Sequence, residues 1–258
     1  MAFDQLAYVS LKKNEAAIII YNKYSGVAVR SPTYNIIFDP TNIPSATFNF
    51  FPDVILVTHE HFDHLDEGSV AKLLKISSEK KVSDELKAVP DIISKTESAY
   101  GEPIKPKITV VADKTSGKML KSSIPKENLA VVEPYKEISL EDITIKAYPS
   151  NHPQAKTPVT YMVTLENGVK IFHTSDSLPY DQMEEIGSVE APDIVFCTIG
   201  IAPGSSPSTG AKIAGLVKAK LAVPYHGSNF KEFEVEVRKI DPTLKTRCLA
   251  IGEVFVYR

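Results

Sequence analysis

Cysteine is nearly absent from this chain: Cys197 and Cys248 are the two in 258 residues, too few for a disulfide framework and without the spacing of a metal site. Both sit in apolar, strand-like surroundings and read as buried thiols, which fits a reducing cytoplasm. Long hydrophobic runs are missing too. The most apolar stretches, AAIIIY (16–21) and VILV (54–57), fall far short of the ~20 residues that span a bilayer, so no membrane partner is expected. The opening MAFDQLAYVSLKKNE has no basic segment followed by an apolar one, and no secretory signal is read there. Charge of one sign is nowhere massed. The 29 basic and 32 acidic residues give a net charge of −3, which argues against a dedicated nucleic-acid surface, and no nucleic-acid partner is expected. Glycine is scarce at 12 residues, which excludes a collagen-like repeat, while 43% hydrophobic and 24% charged residues exclude disorder and a coiled coil.

What is present is a chain able to bury a sizeable core, long enough for one large domain or two small ones. β-Branched runs bounded by turn residues recur as strands: AAIIIY, NIIFD ending at Asp39, VILVT ending at Thr58, KITVVAD (107–113) and LAVVEP. After VILVT a loop leads into LDEGSVAKLLKI, where Val70, Leu73 and Leu74 fall at helical spacing and Asp66 or Ser69 serves as the cap. TSGKMLKSSI reads as a short helix. The most polar part, Ser77 to Lys107, reads as surface helices and loops, an insertion over a cleft. The second half continues with DITIKAY, a hairpin TYMVTLENGVKIFHT turning at ENG (166–168), and DIVFCTIG. Loop GSSPSTG, helix AKIAGLVKAK, strand LAVPY and helix FKEFEVEVRKI follow, and the chain closes on CLAIGEVFVYR as a strand. Two halves of strands followed by helices predict an α/β fold with two sheets face to face and helices outside.

The chemistry is concentrated at one place. Six histidines in 258 residues put about 0.14 in an average six-residue window, yet HEHFDH (59–64) holds three. On an extended segment His59 and His61 leave the same side and can reach one ion, while Asp63 and His64 point elsewhere. Imidazole nitrogen and carboxylate oxygen form the donor mix that zinc, manganese, iron and related ions accept. A cluster at the carboxyl end of a buried strand, directly before a helix, is where open α/β architectures place their sites. Four residues in a row cannot surround an ion, so other strands must contribute. His152 in PSNHP, His173 and Asp176 in HTSDS, and His226 in PYHGS each follow an apolar run and are the candidates.

These residues resemble the metallo-β-lactamase fold hydrolases. The likeness lies in the HxHxDH motif, here HEHFDH, followed by His152, Asp176 and His226 in that order, at intervals of 88, 24 and 50 residues. Asp39, ending IIFDP, resembles the family's first motif, an Asp that supports the metal loop. The resemblance implies a four-layer αββα sandwich of two mixed sheets, with residues 1–258 forming a single hydrolase domain. It implies two divalent metal ions, Zn²⁺ first and Mn²⁺ second: His59, His61 and His152 around one, Asp63, His64 and His226 around the other, and Asp176 bridging them. Asp63 and Asp176 are its catalytic carboxylates, with a bridging hydroxide as nucleophile. Within the superfamily, SNHP, the bare SDS and YHGS look most like the branch containing ascorbate-phosphate lactonase.

The expected activity is hydrolysis of a small ester, lactone or phosphodiester bond. The alternatives are a nuclease of the same fold, a di-iron redox protein, disfavoured because that branch carries Glu where this chain has His61, and a metal-binding sensor or scaffold without turnover. The expected partner is a small-molecule substrate, and a homo-oligomer is compatible with the sequence. His173 reads as packed in its strand or as orienting Asp176, and Asp66 as a helix cap. Residues 204–210, GSSPSTG, read as a flexible loop or as a helix start that favours an anionic group. Ser228 and Asn229 either line the substrate pocket or cap the next helix.

Overall fold

The computed structural model describes residues 2–43, 49–88 and 108–258, with the backbone alone for Ala2 and for 80–88. In chain order its strands are β1 (Ala16–Ile20), β2 (Val27–Arg30), β3 (Asn35–Phe38), β4 (Val54–Val57), β5 (Thr109–Asp113), β6 (Leu129–Val132), β7 (Glu137–Leu140), β8 (Ile143–Pro149), β9 (Val159–Thr164), β10 (Lys170–His173), β11 (Ile194–Thr198), β12 (Leu221–Tyr225), β13 (Lys245–Thr246) and β14 (Phe255–Tyr257). Its helices are α1 (Ala2–Tyr8), α2 (Glu67–Ala88), α3 (Lys114–Leu120), α4 (Gln182–Glu190), α5 (Pro207–Val217) and α6 (Phe230–Ile240).

Among these residues the strands form two seven-stranded mixed sheets, ordered β14-β1-β2-β3-β4-β5-β6 and β13-β12-β11-β10-β9-β8-β7. The central strands are buried on both faces, and alternation sorts their side chains into separate cores. In β1, Ala16, Ile18 and Ile20 point to the core between the sheets, where they join Phe38, Val111, Tyr161 and Phe196. Ala17 and Ile19 point the other way and pack with Phe3 and Leu6 of α1, Val70 and Leu73 of α2, and Leu120 of α3. On the far side Val195 and Cys197 of β11 meet Met183 and Ile186 of α4, Ala211, Ala214 and Val217 of α5, and Phe233 and Val237 of α6. Three cores between four layers make the αββα sandwich that the strand and helix pattern predicts.

The ENG hairpin forms as expected, with Gly168 at φ +84° between antiparallel β9 and β10. Several local expectations are corrected. Helix α2 runs on through the buried Ser77 to Ala88, so the polar segment begins as a continuation of that helix; the rest of the expected insertion, 89–107, lies outside the described residues. Helix α5 starts at Pro207, because Ser206 and Thr209 close a capping box around a proline in the first turn. Cys197 is buried in β11, but Cys248 is half-buried and lies outside any strand. The closing strand is confined to Phe255–Tyr257, which pairs with β1. No helix among the described residues is long and apolar enough to cross a membrane.

Candidate metal centre

In the first sheet β3, β4 and β5 run parallel, and in the second β10, β11 and β12 do. Their carboxyl ends face one rim, and the strand-following segments there carry the polar side chains. His59–His64 follow β4, His152 follows β8, Asp176 follows β10 and His226 follows β12. The two sheets are tied at this rim by the Val159 N–H, which donates to the Thr58 carbonyl at 3.0 Å, and the Lys156 N–H, which donates to Glu60 at 2.9 Å.

After Thr58 the chain leaves the sheet, and His64 and Leu65 both donate their N–H groups to the His61 carbonyl, at 2.9 and 2.8 Å. This turn starts at His61, so His59 and His61 lie before it and meet at one point, as expected, while Asp63 and His64 are carried round it. His59 Nε2 and His61 Nδ1 are 3.1 Å apart, and His152 Nε2 is 3.2 Å from the same His61 nitrogen. Asp63 and His64 face a second point with His226. The Asp176 carboxylate divides between the two. Its Oδ2 lies 3.9 Å from Nε2 of both His59 and His152. Its Oδ1 lies 3.1 Å from His64 Nε2 and 3.2 Å from His226 Nε2, and Asp63 Oδ2 is 3.6 Å from that His226 nitrogen. The ligand atoms of His59, His61 and His152, of His59, His64 and Asp176, and of Asp63, His64 and His226 each fall within 4.8 Å of one another.

This donor set fits metal ions. His64 Nε2, His226 Nε2 and Asp176 Oδ1 are buried without a hydrogen-bond partner, an expensive arrangement that a cation would complete. Bonds of ~2.0–2.1 Å to a tetrahedral ion set its nitrogen ligands roughly 3.3 Å apart, close to the spacing of the three converging imidazoles. Burial, helped by neighbouring His64, holds the His59 imidazole well below its ordinary range, and burial likewise lowers that of His152, so both keep neutral rings with free lone pairs. Burial would lower His64 as well, but Asp176 and Asp39 outweigh it and raise it. Asp176, which burial alone would raise, is brought well below the carboxylate range by His64 and His226. The cluster draws positive charge to its centre.

Asp39 stands behind the centre, fully buried, where its carboxylate accepts from the Thr58 N–H at 2.8 Å, the Thr58 hydroxyl at 2.9 Å and His64 Nδ1 at 2.8 Å. Asp39, Ser175 and His226 turn the chain sharply at strand ends with φ of +47°, +53° and +53°. Such backbone costs ~1–3 kcal/mol per residue and persists where the surroundings over-determine it. For His226 the surroundings are Gly200 and Gly227, in close backbone contact, and the Ile201 N–H, which donates to the His226 carbonyl at 2.9 Å.

The other expected site residues are outside the ligand groups. His173 stacks on Phe38 at a centroid distance of 4.6 Å and meets Phe196 and Tyr225, a packed core histidine. Asp66 caps α2, accepting from the Gly68 N–H at 3.0 Å and the Ser69 hydroxyl at 2.6 Å. Ser206 and Thr209 bond each other's backbone N–H groups at the start of α5, so that end is capped by its own side chains. Ser228 and Asn229 line a cavity of about 650 Å³ together with Phe230, Lys231, Glu232 and Cys248, a lining that includes no ligand side chain. Sequence reasoning passed over Thr58, Ser175 and the Gly200–Gly227 contact. The first two had a signal: each is a hydroxyl residue directly preceding a ligand at a strand end.

A family model described as a beta-lactamase superfamily domain matches residues 19–226. A UPF0173 metal-dependent hydrolase from Methanobrevibacter smithii is 28% identical over 238 residues, covering 86% of this chain and 89% of its own. Among solved structures, Igni18, a metallo hydrolase from Ignicoccus hospitalis, is similar with a TM-score of 0.67 at 16% identity, over 94% of this chain and 99% of that one. The metallo-beta-lactamase fold protein YhfI from Bacillus subtilis gives a TM-score of 0.67 at 13% identity, over 95% and 100%. At such identities the structural likeness concerns the fold.

Proposed function

This chain belongs to the beta-lactamase superfamily, with its metallo-β-lactamase αββα fold, and from that premise we propose that it is a metal-dependent hydrolase that cleaves a small ester, lactone or phosphodiester bond at a dinuclear centre. One observation carries the reading: the two oxygens of Asp176 face two different ligand groups, His59 and His152 on one side and His64 and His226 on the other. Two divalent ions, zinc first and manganese second, would supply there a water of lowered pKa as nucleophile and a Lewis acid for the scissile oxygen. His59, His61 and His152 would hold one ion, Asp63, His64 and His226 the other, and Asp176 would serve both. Asp63, whose side chain is 11% exposed, would also pass a proton towards the leaving group.

The substrate is a small molecule, for which an anionic group suits the positive centre, and the similarity of SNHP, SDS and YHGS to the lactonase branch puts lactones first. The two free cysteines fit a cytoplasmic setting. The test is elemental analysis of purified protein together with hydrolysis of bis(p-nitrophenyl) phosphate and a lactone panel, with and without a chelator. Two transition metals per chain and chelator-sensitive turnover support the reading, and the preferred compound separates lactonase from phosphodiesterase. Absence of metal after reconstitution overturns it.

A further inference from the structure

Behind the ligand groups lies a continuous set of hydrogen bonds that crosses from one sheet to the other. Ser175, on the β10 side, donates its hydroxyl to Thr58 Oγ1 on the β4 side at 2.7 Å. Thr58 donates in turn to Asp39 Oδ2 at 2.9 Å, the oxygen that also takes the His64 Nδ1 contact at 2.8 Å. His59 Nδ1 lies 3.1 Å from Thr58 Oγ1 and 3.3 Å from Ser175 Oγ. All these groups are buried.

The polarity of the chain of bonds follows from counting hydrogens. A carboxylate accepts and never donates, so Asp39 takes a hydrogen from Thr58. A hydroxyl has one hydrogen. Thr58, having given its own to Asp39, can only accept from Ser175 and His59. Ser175, having given its own to Thr58, can likewise only accept. The hydrogen between these hydroxyls and His59 therefore sits on His59 Nδ1, and Nε2, the atom facing His61 and Asp176, keeps its lone pair.

We infer that Thr58 and Ser175 are positioning residues that relay the acceptor character of Asp39 to His59, so that one buried carboxylate fixes the tautomer of a histidine in each ligand group, directly for His64 and through two hydroxyls for His59. Such outer contacts orient a ligand ring and raise its basicity, and their loss typically costs ~10–100-fold in metal affinity. Ser175 also explains the left-handed turn it occupies. At φ +53° its carbonyl is held by the Tyr225 hydroxyl at 2.9 Å while its own hydroxyl points across to Thr58. The assignment of affinity rests on the metal-centre reading, whereas the tautomer does not.

The experiment has two arms. Two-dimensional ¹H–¹⁵N spectra of histidine side chains in the metal-free protein near neutral pH report which ring nitrogen of His59 carries hydrogen, and Zn²⁺ competition with a chromophoric chelator reports the two affinities. The wild type should show His59 as the Nδ1–H tautomer. Thr58→Val should convert His59 to a tautomer mixture and weaken one of the two ions ~10–100-fold, whereas Ser175→Gly, which tolerates the left-handed backbone and leaves Thr58 donating to Asp39 and accepting from His59, should keep the Nδ1–H tautomer and weaken the same ion less. Thr58→Ser, which restores the hydroxyl, should restore both readings. A His59 Nε2–H tautomer in the wild type, or an unchanged tautomer in a folded Thr58→Val protein, overturns the relay, and an unchanged ion affinity in folded Ser175→Gly removes Ser175 from it. A wild type that binds no Zn²⁺ but shows the expected His59 tautomer overturns the metal centre and leaves the relay standing.

Discussion

A methyl group added at Gly227 would sit 2.8 Å from Ile199 Cγ1, 2.9 Å from the Gly200 nitrogen and 3.0 Å from the Ile199 carbonyl carbon. Two of those neighbours are backbone and cannot rotate away, so Gly227→Ala must push the loop after β12 outward by about half an ångström to regain ordinary contact. His226 is the adjacent residue, and its left-handed backbone depends on this close approach to Gly200. Overpacking of this kind costs roughly 1–3 kcal/mol, which for a chain of this size lowers Tm by roughly 2–12 °C. Functional sites tolerate ~0.5 Å of misplacement, and 1 Å can cost ~100-fold in rate, so kcat should fall about 10–100-fold. The assay pairs thermal unfolding with chelator competition for both ions on one preparation. The expected result is a lower Tm and weakening of the ion facing His226, with the ion at His59, His61 and His152 retained. A variant that melts as predicted yet keeps both affinities and full turnover would refute the claim that the Gly200–Gly227 contact positions His226.

His152→Ala should leave close to one ion per chain by elemental analysis, whereas Asp176→Ala should lose both and abolish turnover; equal losses in the two variants would contradict the bridging role. Chelation should destabilise the protein, because an ion at a free concentration a hundred times its Kd contributes about 2.7 kcal/mol per site, and an unchanged Tm on chelation would argue against ion binding in the native state. Burial brings the His173 imidazole down to about 4. The unfolded chain takes up that proton near pH 6.5 and the native state only near 4, so the stability is present above 6.5 and is lost as pH falls between those values. Metal-free wild type should therefore lose about 2.5 kcal/mol more than His173→Gln between pH 7 and 4.5, measured by denaturant unfolding.

The residues of the candidate metal centre were legible because they share a local rule, a polar residue at the carboxyl end of an apolar run. HEHFDH, His152, Asp176 and His226 all obey it, and the structure gathers them at one rim. The long strands were legible for the same reason, as β-branched runs buried on both faces. Several short elements were not. β7 carries half-exposed residues at the end of a sheet, β13 has two residues, and β2 is the four-residue VAVR, so none offers a run long enough to read. The start of α5 was misplaced because the capping box of Ser206 and Thr209 looks like a loop until Pro207 is recognised as the first helical residue. Thr58 and Ser175 meet across 117 residues of sequence, and no local pattern announces a contact that depends on two sheets closing.

The order of the ligands along the chain has a consequence for synthesis. At ~5–20 residues per second, His226 leaves the ribosome roughly ten to thirty seconds after His64. For about the first two-thirds of that interval the nascent chain displays His59, His61, Asp63 and His64 without the carboxylate of Asp176 that lies between the two groups, and for the rest it still lacks His226. The strand at Phe255–Tyr257, which completes the first sheet beside β1, arrives later still. On the dinuclear reading proposed above, a tightly held pair of ions would be a product of finished folding, and the metal content of a preparation would count the chains in which both sheets have closed.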